Sequence, residues 1–285
     1  MSEEQNIEHT ADDRPQSTEN EKISEPSIIN ELPLIENMEV HKHPHHITHK
    51  KKWGEYLLEF LMLFLAVFLG FIAENIREQS VERHHEKQFV ESFIQDLRTD
   101  TASIRQILIF RQVKLVRMDS LILLLSNEQI KGHENDLYFF GRTLVRTLWF
   151  RSNDRTITQL KNSGSLRLIR NEQAADSMMS YQKLVETIMS NQEDDHIERI
   201  AAGPLLSRIY NAFEFDKMVT INGINRPDGN PPLRSYDQNH QQDLAYYIHQ
   251  LKGSNFIIQA RLELLNDKAK NMITFLQKEY HLKNE

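Results

Sequence analysis

"EYLLEFLMLFLAVFLGFIAEN", residues 55–75, decides the architecture of this chain. Residues 60–73 carry no charge, Tyr56, Leu57 and Leu58 extend the apolar run on one side, and Ile76 extends it on the other. Taken over residues 56–76, a helix would run about 31 Å at 1.5 Å per residue, the thickness of a hydrocarbon core. Glu59 then lies just inside one boundary, and Glu74 and Asn75 sit at the other. Trp53 and Tyr56 fall where interfacial aromatics belong. A soluble core helix keeps a polar stripe along its length, and this run has none for about four turns. The stretch therefore predicts a membrane span. It begins more than fifty residues into the chain, and no small-x-small cleavage site follows it, so the expectation is an uncleaved signal anchor.

Orientation follows from the flanking cations. Lys42, Lys50, Lys51 and Lys52 precede the span, and Arg77, Arg83 and Lys87 follow it. "HKKKW" sets three lysines directly against the membrane, where positive charge is retained inside. Residues 1–40 hold eleven acids against Arg14 and Lys22, a net -9, which leaves +2 of the total -7 for residues 41–285. Moving that unfolded acidic tail across a bilayer would need machinery of its own. The N-terminus is thus expected in the cytoplasm, and everything after residue 76 outside the inner (plasma) membrane.

Composition narrows the rest. The chain has 285 residues, no cysteine, nine glycines and eight prolines. Thiolate chemistry, disulfides and Cys-based zinc sites are excluded together. Few breakers and long stretches of helical period point to an all-α protein. The acidic tail, poor in aromatics, reads as disordered, with "SIINELPLIENMEV" (27–40) its one apolar patch, a stretch of linker or a partner-docking motif. Within the span, Ala66 and Gly70 form a small-xxx-small pair that Ala73 continues, a candidate face for helix–helix contact and a homo-oligomer.

Beyond the span no Pro or Gly interrupts the chain up to "NEQIKGHEND". Val90, Ile94, Leu97, Ile104, Leu108, Leu115, Met118, Ile122 and Leu125 follow a 3.5-residue spacing, interrupted at Thr101 and Arg111. This predicts one long helix continuous with the span. A second helix is expected over "LYFFGRTLVRTLWF" (137–150). A third is expected after the cap Asp154, ending at Gly164 in the left-handed conformation. Asn171 caps a fourth, which Gly203-Pro204 should kink or break. After an irregular loop (218–237), the last helix (about 238–281) repeats the seam with Leu244, Ile248, Leu251, Ile258, Leu262, Leu265, Met272 and Leu276. The expected organisation is a disordered acidic tail ending in a His-rich tract (1–49), juxtamembrane lysines and a transmembrane helix (50–76), and an extracytoplasmic, elongated antiparallel helical bundle with coiled-coil-like packing (77–285).

"KKWGEYLLEFLMLFLAVFLGFIAENIREQ", the long helix, and "QLKNSGSLRLIRN" (159–171) together resemble a group of uncharacterised single-span bacterial membrane proteins. These carry a helical domain of unknown function behind an N-terminal anchor. The likeness covers roughly residues 50–200 and implies the topology but no activity.

Three sets of residues have the chemistry to bind something. His41, His43, His45, His46 and His49 are dense enough to chelate zinc, copper or nickel, although a tract containing Pro44 fixes no geometry, and a basic patch on anionic headgroups is the plainer reading. Glu82-x-x-His85 and Glu193-x-x-His196 have the i,i+3 spacing of di-iron carboxylate ligands on bundle helices. Against that, Glu82 and His85 lie off the seam extended back through Lys87 and Arg83. Arg142, Arg146, Arg151 and Arg155 form a basic group suited to an anion, or to the acids of a neighbouring helix. No phosphate loop, catalytic triad or aromatic-interleaved basic patch for nucleic acid is present. The expected role is binding (scaffold, adaptor or sensor input), with the bilayer and an unidentified protein as partners and no cofactor. The alternative is a metal-dependent bundle enzyme or a metal-binding His-rich tail.

Overall fold

Where helix formers run for dozens of residues without a breaker, the backbone stays helical and burial alone decides which face turns inward. The computed structural model describes residues 52–126 and 130–283. It contains helices α1 (Trp53–Leu125), α2 (Glu134–Leu144), α3 (Arg155–Asn162), α4 (Glu172–Ile209), α5 (Ala212–Lys217) and α6 (Gln238–Glu279). A 3-10 turn (Ser165–Leu168) follows α3, and a two-residue pair of antiparallel strands, β1 (Val219–Thr220) and β2 (Gly223–Ile224), lies between α5 and α6. The described chain is all-α apart from that hairpin. Contacts divide the chain between Leu61 and Met62, inside α1. Of the first unit, the described residues are Lys52 and the opening turns of α1, all exposed; the elements below belong to the second unit.

Three helices carry the core, and their buried positions alternate by three and four residues. On α6 these are Gln241, Leu244, Ile248, Leu251, Asn255, Ile258, Leu262, Leu265, Ala269, Met272 and Leu276. On α4 the row runs from Ala174 through Met178, Tyr181, Val185, Ile188, Gln192 and Asp195 to Ala202 and Ile209. Side-chain bonds give the directions. Tyr181 on α4 reaches Asp100 on α1, and Arg170, just before α4, reaches Glu82, so α1 and α4 rise together. Tyr280 meets Glu86 and Asn255 meets Arg111, so α6 descends against α1. Apolar side chains form two clusters, one around Leu97, Ile188 and Leu262, the other around Leu121, Tyr138 and Leu251.

The seam of α1 differs from its sequence reading. Val90, Ile94, Leu97, Ile104, Leu115, Met118 and Leu125 are buried as expected, and Phe93, Asp96, Asp100, Ile107, Lys114 and Leu121 are buried beside them. Leu108 and Ile122 are only half-buried, and Arg111, an expected interruption, is 1% exposed. Continued backwards, the seam reaches Glu86 rather than Lys87. At Lys114 the miss has a simple cause: Leu115 beside it is also buried and satisfies the apolar spacing.

Helix boundaries show the same competition between local and tertiary terms. Helix α2 stops at Leu144 instead of running to residue 150. Beyond it, Phe150 is drawn out straight: its N–H donates to Gln192 Oε1 at 2.7 Å, and Gln192 Nε2 donates back to its carbonyl at 2.9 Å. Helix α4 passes through Gly203-Pro204 to Ile209 rather than breaking. Both residues face outward, so the carbonyl that Pro204 leaves without a donor is on the water side. Gly141 on α2 is fixed by close approach, since a Cβ there would lie 2.5 Å from the Tyr210 ring.

The turn into α3 is held from α1. Asp154 stands at the N-cap as expected but makes no side-chain cap bond. Instead the carboxylate of Asp96 accepts from the Thr156 N–H at 3.0 Å and from the Thr156 hydroxyl, and Asn153 and Arg155 donate to its other oxygen. One turn on, Asp100 accepts from Ser152, from the Asn153 N–H and from Tyr181. Gly164 ends the segment at φ 66°, and Asn171 caps α4 by accepting from the Ala174 N–H, both as the sequence predicts. Asp96→Ala leaves the buried Thr156 N–H unpaired and should cost about 2–4 kcal/mol. Urea unfolding should show a lower midpoint with an unchanged m-value.

Candidate functional site

Between the two apolar clusters lies a layer made of charges. Arg111 and Lys114 on α1, Asp195 on α4 and Asn255 on α6 all occupy inward positions, with exposures of 1%, 4%, 1% and 0%. Arg111 Nη1 donates to Asn255 Oδ1 at 2.8 Å. Asp195 accepts from Arg199 Nε at 2.9 Å, and the Arg199 guanidinium lies 5.9 Å from the centre of the Trp149 ring. Lys114 and Arg111 both feel the Asp195 carboxylate and repel each other. Three cations thus share one buried carboxylate.

The layer is not fully paired. Among the described residues, Arg111 Nε, Arg199 Nη2 and Lys114 Nζ are buried without a hydrogen-bond partner, and so is the acceptor Asp195 Oδ1. Burial pushes the Lys114 ammonium down to about 8, opposed by Asp195 and reinforced by Arg111 and Arg199. Burial likewise pushes Arg111 down to about 10. An unpaired buried cation is a costly feature to build into a core.

Lys114 also borders a cavity of about 510 Å³. Phe110 and Met118 on α1, Phe139 and Leu144 on α2, and Val219 and Ile224 of the hairpin give it apolar walls. Arg117 and Arg146 complete the lining, Arg117 lying 5.0 Å from the centre of the Phe139 ring. Arg226 lies 4.6 Å from the same ring, but it is engaged by Asp136 at 2.5 Å. An apolar chamber with a few convergent polar groups is the usual form of a small-molecule site.

The residues singled out from sequence disperse. Glu82 accepts from Arg170 Nη2 at 2.6 Å, and His85 is exposed. Glu193 is exposed about 30 Å along α4 from its first turn, and His196 packs edge-on to Trp149. The two Glu-x-x-His pairs are not brought together, and no group of three potential ligands forms among the described residues. His41, His43, His45, His46 and His49 lie outside the described residues. The four arginines also separate. Arg155 pairs with Asp96 at 3.2 Å, Arg142 lies 5.5 Å from the centre of the Phe215 ring, Arg151 is exposed, and only Arg146 reaches the cavity. Ala66, Gly70 and Ala73 sit on α1 with their surfaces exposed.

Neither a family model, nor a curated protein, nor a solved structure matches this chain. The site therefore stands on its own chemistry. Arg111 was visible as a break in the seam, but Lys114 was not, because Leu115 beside it satisfied the apolar spacing. Asp195 was hidden among the acids of "NQEDDHIER" (191–199).

Lys114 gives a test with a definite sign. The folded chain holds its proton only below about 8, whereas the unfolded chain holds it to about 10.4. Between these values the unfolded state binds more protons, so this residue's destabilising effect is full below pH 8 and fades as pH rises. Lys114→Met should therefore stabilise the protein at pH 7 by about 2–3 kcal/mol, a gain that shrinks towards pH 10. Chemical unfolding of both chains across that range measures it.

Proposed function

We propose that this chain is a single-span membrane protein, anchored by residues 56–76, whose helical domain acts by binding rather than by catalysis. One observation supports it most directly. Residues 52–81 are exposed on every face of α1, and within them lies a stretch long and apolar enough to cross a membrane. Apolar surface of that extent is covered by something in the cell, and a helix apolar all round is what lipid covers. In this reading Lys50, Lys51 and Lys52 stay in the cytoplasm with the acidic tail, and the helical domain lies outside the inner membrane. The resemblance to single-span bacterial membrane proteins agrees with that topology. The three-four alternation of buried positions on α1, α4 and α6 supports bundle packing of the coiled-coil kind. The dispersal of the Glu-x-x-His pairs leaves the di-iron reading without a site among the described residues.

A reporter active only outside the cytoplasm should be active when fused after Glu285 and silent when fused before Met1. The reverse pattern would put the helical domain in the cytosol and end this reading.

Self-association through Ala66, Gly70 and Ala73 belongs to the same proposal, because small residues let two backbones approach in lipid. Gly70→Ile should weaken dimers in a membrane two-hybrid assay, whereas Leu69→Ile, on another face, should not. Equal signals from the two variants would remove that contact.

A further inference from the structure

We propose that the cavity between α1, α2 and the β1–β2 hairpin binds an aromatic carboxylate, its charge met by Arg117 and Arg146 and its rings by Phe110, Phe139 and Phe140. The proposal rests on reading the protein as one that acts by binding, and it names the ligand class and the residues that recognise it.

The bonding capacity of the lining gives the head group. Five polar side chains stand on it, Lys114, Arg117, Thr143, Arg146 and Thr220, and three are engaged elsewhere. Thr143 donates to the Phe140 carbonyl at 3.2 Å, and Thr220 to the Gly223 carbonyl at 3.2 Å. The Lys114 ammonium is buried among the charges around Asp195 and takes no part in the site. That leaves Arg117, half-buried, and Arg146, exposed. Neither guanidinium has a hydrogen-bond or carboxylate partner among the described residues, and no acid stands on the lining. A guanidinium has five N–H donors in a planar fork and no acceptor. The free capacity of the wall is therefore all donor and all cationic, and a carboxylate complements it. The apolar surroundings favour that singly charged group over a phosphate, whose second charge would cost more to strip of water.

The rest of the wall gives the body. Phe110, Phe139 and Phe140 stand on it with Met118, Leu144 and Ile224. The Phe139 and Phe140 rings lie 5.8 Å apart and tilted by 61°, so they offer a face and an edge to a flat guest. Arg117 lies 5.0 Å from the centre of the Phe139 ring, which sets the cation beside the ring wall. A rigid ring loses less freedom on entering than a flexible chain does. The volume of about 510 Å³ lies in the range that small organic ligands occupy.

The wall is formed before anything enters. Arg226, just beyond the hairpin, donates to Asn135 Oδ1 at 3.0 Å, pairs with Asp136 at 2.5 Å and lies 4.6 Å from the Phe139 ring centre. It ties the hairpin to α2 and packs on that ring. The Asn225 N–H donates to the Met218 carbonyl at 2.8 Å and closes the strand pair. A ligand enters without moving the hairpin, past the exposed Val113, Arg146 and Val219 of the lining. Phe110 lies about 50 Å along α1 from residue 76, where the proposed span ends, so the ligand arrives from water and not from the bilayer.

The test uses the full-length protein in zwitterionic nanodiscs and 4-benzoylbenzoate, an aromatic carboxylate that cross-links to nearby C–H bonds on irradiation. Labelled peptides are then mapped, and label is expected on residues 110–118, 139–146 and 219–224. Unlabelled 2-naphthoate should displace it roughly tenfold more effectively than 2-naphthylmethanol, which has the rings without the charge. The same margin is expected over octanoate, which has the charge without the rings. Arg117→Gln and Arg146→Gln together should abolish the preference for acid over alcohol, while an unchanged melting temperature shows the chain folded. Equal displacement by acid and alcohol in the natural protein, or a preference that survives the double substitution, would overturn the role of the arginines. Octanoate matching 2-naphthoate would overturn the choice of an aromatic ligand. Label confined to residues 56–76, or none on the protein, would overturn the cavity as a site and leave the membrane reading standing. That reading answers separately to the topology reporters.

Discussion

Three cations, Arg111, Lys114 and Arg199, surround one buried carboxylate, Asp195, where the long helices pack together, and the packing has to accommodate them. Removing an ion from water costs several kcal/mol even after relaxation. The cost is met by the apolar clusters on either side, where side chains such as Leu97, Ile188 and Leu262 below and Leu121, Leu137 and Leu251 above each contribute roughly 1.5–3 kcal/mol. The polar layer in turn fixes register. A shift of α6 by one heptad would set Ile248 or Leu262 opposite Arg111 in place of Asn255, and leave the guanidinium facing hydrocarbon. An all-apolar seam would have no such penalty, because Leu and Ile at successive inward positions are interchangeable.

A second polar layer shows the contrast between paired and unpaired buried charge. Asp96 and Asp100 are as buried as Arg111, yet each accepts several bonds from the segment entering α3. Burial holds the Asp100 carboxyl above its ordinary range, opposed by Ser152, Asn153 and Tyr181. Those acids are satisfied, and their work is to dock a loop. The cations near Asp195 are not fully paired, and Lys114 among them borders the cavity between α1, α2 and the hairpin.

Helix α1 carries two kinds of surface in one unbroken element. Up to residue 81 it is exposed all round, with apolar residues on every side between 60 and 73. From Glu86 onward burial is confined to one face, around the line Val90, Leu97, Ile104, Arg111, Met118 and Leu125. The first pattern suits a medium that solvates from all directions with hydrocarbon, the second a medium that is water on one side and protein on the other. Nothing in the backbone separates the two, because no glycine or proline falls between Gly70 and Leu125.

How much of this was legible beforehand depends on how local each cause is. The apolar run of residues 60–73, the breaker-free continuation, the α6 seam, the Asn171 cap and the left-handed Gly164 all follow from neighbouring residues, and the sequence determined them by itself. On α1 seven of the nine expected apolar positions are buried, but the inward charges Asp96, Asp100 and Lys114 did not follow from periodicity, since only a partner helix can decide whether a charge faces in. The end of α2 was likewise set from a distance, by the side chain of Gln192 pairing with Phe150 across 42 residues of chain. The cavity depends on three segments far apart in sequence, and the charge layer at its edge on three helices. Periodicity reports how one helix meets an averaged environment. Which charges meet, and which are left unpaired, is a property of the assembled helices, and only the tertiary structure decided it.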